Sequence, residues 1–175
     1  YGACTKCNGL GTIADIEEDL IIPNPKLSIN KGGIAPLGQF RSNWTFTQLR
    51  AMAKRMKFSL ADPIEKLDRK VLDTILNGSE EKFEVTYTYS GGGQQTYETT
   101  FKGVIPMVQN SYMQKSQDSL YQWAEEFMIM RKCPDCEGYR LKKEALHYFI
   151  AKRHIGELGE MNISELETWL ADLTN

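Results

Sequence analysis

Two short cysteine pairs near opposite ends of the chain restrict its topology more than any other feature. Cys4-Thr-Lys-Cys7-Asn-Gly9 and Cys133-Pro-Asp-Cys136-Glu-Gly138 both read C-x-x-C-x-G, and the sequence has only these four cysteines. Four thiolates fill the tetrahedral shell of a closed structural zinc site. Glycine two places after each second cysteine permits the tight, positive-φ turn needed around an ion. Two other readings compete. Disulfides require an oxidising compartment, and no export signal is visible. A redox C-x-x-C belongs on a βαβ frame and leaves the second matched pair unexplained. Cys4, Cys7, Cys133 and Cys136 are therefore expected to hold one Zn2+ that is structural, because no coordination position stays open for a substrate.

Zinc knuckles usually lie about 15–20 residues apart, whereas here 125 residues lie between Cys7 and Cys133. If both knuckles grip one ion, the intervening chain leaves a point and returns to it. The entropy of closing such a loop grows only logarithmically with its length. The expected organisation is a split zinc module, residues 1–11 and 133–175, with a strand and helix in its C-terminal part. Residues 12–132 form an inserted domain tied at the neck, an arrangement better suited to an arm or clamp than to a catalytic core. Tyr1 stands just before the first knuckle, without Met, basic n-region or apolar h-region. That start predicts a fragment of a longer protein and no signal peptide.

Gly2-Ala-Cys4-Thr-Lys-Cys7-Asn-Gly-Leu-Gly11 and Cys133-Pro-Asp-Cys136-Glu-Gly-Tyr-Arg-Leu141, followed by Met161-Asn-Ile163 and a short helix, resemble the UvrA family. UvrA is the damage-sensing ATPase subunit of the bacterial UvrABC nucleotide excision repair system. The resemblance covers the whole chain, and Thr5 stands where the family usually has Pro. It implies the zinc-anchored, DNA-binding insertion domain of a cytoplasmic excinuclease subunit of the SOS response. The expected partners are damaged double-stranded DNA, UvrB, and a second copy of the parent protein as a homodimer. ATP and Mg2+ would belong to the parent, outside this stretch. Consistently, no G-x-x-x-x-G-K-[ST] phosphate loop occurs here. Ser90-Gly91-Gly92-Gly93-Gln94-Gln95 superficially resembles the ABC signature but has an extra Gly and follows Tyr89. Lying between two β-type runs, Phe83–Tyr89 and Gln95–Phe101, it is expected to be a hairpin turn.

Hydrophobic residues at 41% and charged residues at 25% suit an ordinary globular chain. No apolar run approaches the ~18 residues of a membrane span. Leu20–Ile22 reads as a short strand stopped by Pro23 and Pro25, and Lys26–Phe40 as loop. Thr45-x-x-Gln48 is a capping-box pattern for a helix to about Lys57. Asp62-Pro63 opens a helical region that restarts at Asp68, with Val71, Leu72, Ile75 and Leu76 as its apolar stripe and Gly78 as its stop. Beyond the hairpin, Val104–Met107, a helix near Gln109–Gln114 and a longer helix Asp118–Met130 are expected, then a strand near Leu146–Ile150. Ser164-x-x-Glu167 caps a final helix to about Leu173. The fold class is α+β, a small antiparallel sheet or hairpin with several helices, inserted into the four-cysteine module.

A net charge of −2 excludes a wholesale polycation. Residues 8–132 carry 15 basic and 15 acidic side chains, yet 20–61 holds seven Lys and Arg with no Asp or Glu. Arg41, Arg50, Lys54, Arg55 and Lys57 are the candidate DNA contacts in that stretch. On the helix from Thr45, Leu49, Met52, Ala53 and Met56 face the core, while Arg50, Lys54 and Lys57 make a basic ridge fit for phosphates. Such a ridge is often only a solvated face. Phe40, Trp44, Phe46 and Phe58 could stack on unpaired bases but read more naturally as core. Arg140 and Lys142, with Lys143, form a second basic cluster. There Arg140 either contacts DNA or bonds carbonyls of the knuckle. His147 and His154 lack ligand spacing. Together with this basic stretch, the resemblance to the UvrA family implies phosphate contact with indirect readout of damaged DNA. The alternative is a protein-interaction module docking UvrB or another repair partner.

Overall fold

The computed structural model describes residues 2–88, 92–114 and 119–173, with the side chains of Tyr87 and Thr88 excepted. In chain order the elements are β1 Thr12–Ile16, α1 Glu18–Ile21, α2 Trp44–Met56, α3 Arg69–Asn77, β2 Phe83–Thr88, β3 Gln94–Thr99, α4 Val104–Met113, α5 Ser119–Glu125, β4 Met128–Lys132, β5 Phe149–Ile150, β6 Arg153–His154, α6 Ile155–Glu160 and α7 Ile163–Leu173. The fold is α+β. The strands of the described residues form three separate two-stranded sheets, β1 with β4, β2 with β3, and β5 with β6.

The chain divides into two compact units, Ile16–Met128 and the pair Tyr1–Asp15 with Ile129–Asn175. Both crossings between units fall in the β1–β4 ribbon. Cys133 N donates to Gly11 O at 2.9 Å and Glu17 N to Phe127 O at 3.3 Å, so the two strands run antiparallel.

In the 16–128 unit the core is built by amphipathic helices around the β2–β3 hairpin. Phe46, Leu49 and Met52 of α2, Val71 and Ile75 of α3, and Val104 and Val108 of α4 are buried together with Val85. The α3 pair sits at the i, i+4 spacing that places side chains on one helix face. Hairpin register runs from Phe83 opposite Thr99 to Thr88 opposite Gln94. Lys82 and Glu98 form a 3.1 Å ion pair and the Thr86 and Thr96 hydroxyls meet at 3.2 Å. The strands therefore pair as a hairpin, while Tyr89, Ser90 and Gly91 of the expected turn lie outside the described residues.

Several elements differ from expectation. Leu20–Ile22 is not a strand; Glu18–Ile21 is one helical turn, with Glu18 and Asp19 at the end where the helix dipole favours acids. The helix expected over Asp118–Met130 ends at Glu125, and Met128–Lys132 is strand β4. Asp118 lies outside the described residues. Ala124 and Phe127 of the expected apolar face are buried, whereas Leu120 and Met130 are exposed. Val104–Met113 is one continuous helix instead of two pieces. Lys143–His147 is a 3-10 turn, which leaves only Phe149–Ile150 as strand.

Candidate metal centre and nucleic-acid interface

The two knuckles are built alike. After the second cysteine of each, a non-glycine residue takes positive φ, Asn8 at 51° and Glu137 at 52°, and a glycine follows, Gly9 at 79° and Gly138 at 94°. Two consecutive left-handed residues reverse the chain within a few ångströms, and glycine does this at least steric cost. Leu10 N then donates to Cys7 O at 3.0 Å, as Tyr139 N does to Cys136 O at 2.8 Å. Hydrogen bonds tie the loops together, with Cys4 N donating to Arg140 O at 2.9 Å and Lys142 N to Gly2 O at 2.8 Å. A Lys6–Asp135 ion pair at 3.5 Å joins their tips.

This scaffold gathers four buried thiols whose sulfurs all lie within 4.8 Å of one another. Cys4 and Cys133 sulfurs are 3.9 Å apart, and those of Cys7 and Cys136 are 3.7 Å apart. A tetrahedron with metal–sulfur bonds of about 2.3 Å has sulfur–sulfur edges of about 3.8 Å. The donor set and its spacing therefore fit a single tetrahedral, thiolate-binding ion such as Zn2+. All four cysteines are free, which removes the disulfide reading. Burial opposes ionisation of Cys7. Hydrogen bonds from Gly11 N–H, the Cys136 and Cys4 thiols and Gly9 N–H outweigh it and lower Cys7 to about 7. Burial raises Cys136 to about 11 against the N–H groups of Gly138 and Arg140. The N–H groups aimed at the Cys7 sulfur thus favour its thiolate, the metal-binding form.

Arg140 contributes through its backbone. It adopts φ 67°, its carbonyl accepts from Cys4, and its N–H points at the Cys136 sulfur. Its side chain stays exposed. Lys142 is half-buried beside the knuckles, in a recess lined also by Cys4, Thr5, Asp135 and Lys143. His154, unremarkable in sequence, caps α6. Its Nδ1 accepts from Glu157 N at 3.2 Å, while its own N–H donates to the Glu157 carboxylate at 2.8 Å.

On the other unit, Arg41, Arg50, Lys54, Arg55 and Lys57 are all exposed, but they differ in what they meet. Arg55 donates to Lys82 O at 2.6 Å and to Glu81 at 3.0 Å, so it braces the hairpin. Arg50 lies over the Phe40 ring, 4.7 Å from its centroid. Lys57 is the left-handed C-cap of α2, its N–H bonded to Ala53 O. Among the described residues, none of Arg41, Arg50, Lys54 and Lys57 forms an ion pair with a carboxylate. The four aromatics of this stretch divide. Phe46 is fully buried and Phe58 half-buried, whereas Phe40 and Trp44 are 45% and 39% exposed. Phe40 and Trp44 are the residues that hydrophobicity alone misplaces. The sequence signal was their position outside the α2 apolar stripe, Phe40 in the preceding loop and Trp44 at the helix start.

A family model described as the UvrA DNA-binding domain matches residues 17–126. The chain is 36% identical to UvrABC system protein A of Mesorhizobium japonicum, over 99% of its own length and 18% of that protein's. It is likewise 36% identical to UvrABC system protein A of Clostridium perfringens, over 94% of the chain and 18% of the relative. Among solved structures, UvrA2 from Deinococcus radiodurans matches 97% of the chain and 22% of its own chain, with a TM-score of 0.71 at 24% identity. The chain thus spans less than a fifth of the length of the curated relatives it matches.

Proposed function

The chain belongs to the UvrA family, and on that premise we propose that its 16–128 unit grips duplex DNA by phosphates and reads deformability instead of sequence. The observation that carries this reading is the acid-free stretch 20–61, in which Arg41, Arg50, Lys54 and Lys57 stay exposed and meet no carboxylate among the described residues. Cations that meet no carboxylate remain available to phosphate, Arg50 from its place over the Phe40 ring, and each contact releases counterions from the duplex. Arg50 and Lys54 stand one turn apart on α2, about 6 Å along its axis. Contacts of this kind hold the duplex without reading its bases. Discrimination follows from mechanics, since damaged duplex bends and unwinds at lower energy. Arg55, engaged with Glu81 and Lys82, acts through the hairpin, and Arg140 and Lys142 offer a second basic cluster at the knuckles.

The four cysteines hold Zn2+, which fixes the knuckle backbone and takes no part in a reaction. ATP and Mg2+ are handled by other segments of the parent protein. Dimerisation and the loading of UvrB belong to the parent too. The test is fluorescence anisotropy of the zinc-loaded chain against plain and lesion-bearing duplexes across a salt series. The Arg50→Glu, Lys54→Glu, Lys57→Glu triple variant is measured beside it. Affinity is expected to fall linearly in log salt, with the slope reduced by about one per lost phosphate contact in the variant. Absence of binding by the folded protein at low salt overturns the reading and favours a protein partner for the ridge.

A further inference from the structure

Beside the basic ridge lies a shallow recess of about 470 Å³, open to solvent and lined by Asn30, Phe40, Arg50, Phe58 and Leu60. Its chemistry is unlike that of an ordinary surface dimple. The Phe40 ring is held edge-on against the buried Phe46, centroids 5.2 Å apart, yet remains 45% exposed. The Arg50 guanidinium lies over that ring, and none of its N–H donors has an acceptor among the described residues. Asn30 engages both backbone groups, its N–H with Leu60 O and its carbonyl with Phe40 N, each at 3.0 Å. Its side-chain amide, a donor and an acceptor at once, has no partner among the described residues. The recess therefore offers aromatic surface from Phe40 and Phe58, a planar cation whose outer face can stack, and one neutral group that can bond either way.

A flat heteroaromatic ring with mixed donors and acceptors on its edge satisfies all three. We propose that this recess receives a single unstacked nucleobase extruded from the bound duplex. The proposal rests on the DNA-binding reading above, and Arg50 joins the two sites because it belongs to both ridge and recess. A paired base has both faces stacked and cannot enter, so occupancy reports a local break in stacking. Every base has a π face, so the contact tolerates any sequence.

The test uses the full 175-residue chain and three duplexes of one sequence: fully paired, with one unpaired base, and with an abasic residue at that bulge. The two bulged duplexes share backbone irregularity and differ only in the base. About tenfold tighter binding to the unpaired-base duplex than to its abasic twin is expected. Phe40→Leu, which keeps apolar bulk against Phe46, should remove that preference and leave affinity and salt slope on paired duplex in place. Arg50→Lys, which keeps the charge and loses the plane, should lower the same ratio. As a readout without substitution, 5-iodouracil at the unpaired position should photo-crosslink to Phe40 or Phe58. Equal binding of both bulged duplexes, or crosslinks confined to other regions, overturns the recess and leaves the phosphate grip standing. Failure to bind any of the three duplexes at low salt overturns both.

Discussion

Gly11 concentrates the dependence of the metal centre on one residue. Its N–H donates to the Cys7 sulfur at 3.3 Å, and its carbonyl accepts from Cys133 N at 2.9 Å, so it joins the two knuckles. It sits at φ +80°, and a Cβ there would stand 2.8 Å from Gly138 O and 3.0 Å from Arg140 Cγ. The carbonyl belongs to the backbone of the second knuckle and cannot move aside without moving Cys136. Left-handed strain in a non-glycine residue costs about 1–3 kcal/mol, and the clash adds to it. Gly11→Ala is therefore expected to weaken zinc binding at least tenfold in competition with a chromophoric chelator. Gly93→Ala, where an added methyl meets nothing within 4 Å, should leave zinc affinity unchanged. Equal affinity in both variants would show that the knuckles tolerate displacement at their junction.

Helix α2 shows how an element can be legible while its boundary is not. Thr45-x-x-Gln48 has the letters of a capping box, but the cap is Asn43, whose side-chain oxygen accepts from Phe46 N at 2.9 Å. The helix starts at Trp44, and Thr45 and Gln48 fall inside it. Asn43→Ala should cost about 1 kcal/mol in urea denaturation, and Thr45→Ala appreciably less; the reverse order would restore the sequence-based cap. The apolar stripe itself was readable, because Leu49 and Met52 obey helical spacing and are buried. So was α3, from its Asp68 cap to Gly78. β4 was not readable. Residues 118–130 carry a helix-like apolar spacing, but Met128–Lys132 pairs with β1, a strand more than a hundred residues away in sequence. Local periodicity contains no information about such a partner. The cysteine cluster was the opposite case, since ligand chemistry is written in residue type and survives any separation along the chain. Phe40 and Trp44 stay exposed against the expectation of burial, because hydrophobicity predicts burial only on average.

At the scale of the whole molecule the two units are stabilised by different means. Ile16–Met128 contains the continuous hydrophobic core, including Phe46, Leu49, Ile75, Val85 and Val108 at 0% exposure. Outside that unit, among the described residues, the buried hydrophobic side chains are the four cysteines, with Ile13 packed against them. Tyr148, Phe149, Ile150 and Ile163 are all more than half exposed. With the proposed ion bound to the four cysteines, a unit with so little apolar burial is expected to depend on that ion. Structural zinc in small modules supplies apparent binding free energies of about 10–16 kcal/mol near pH 7. Stripping the ion should therefore unfold the cysteine unit alone. After chelation, limited proteolysis is expected to cut within 2–15 and 129–173, leave a resistant core close to residues 16–128, and preserve most of the salt-dependent DNA affinity of that core. Readdition of Zn2+ should restore protection of the flanks. If chelation instead exposes the whole chain to protease in one step, the insert draws its stability through the ion, and the zinc site is a keystone for both units.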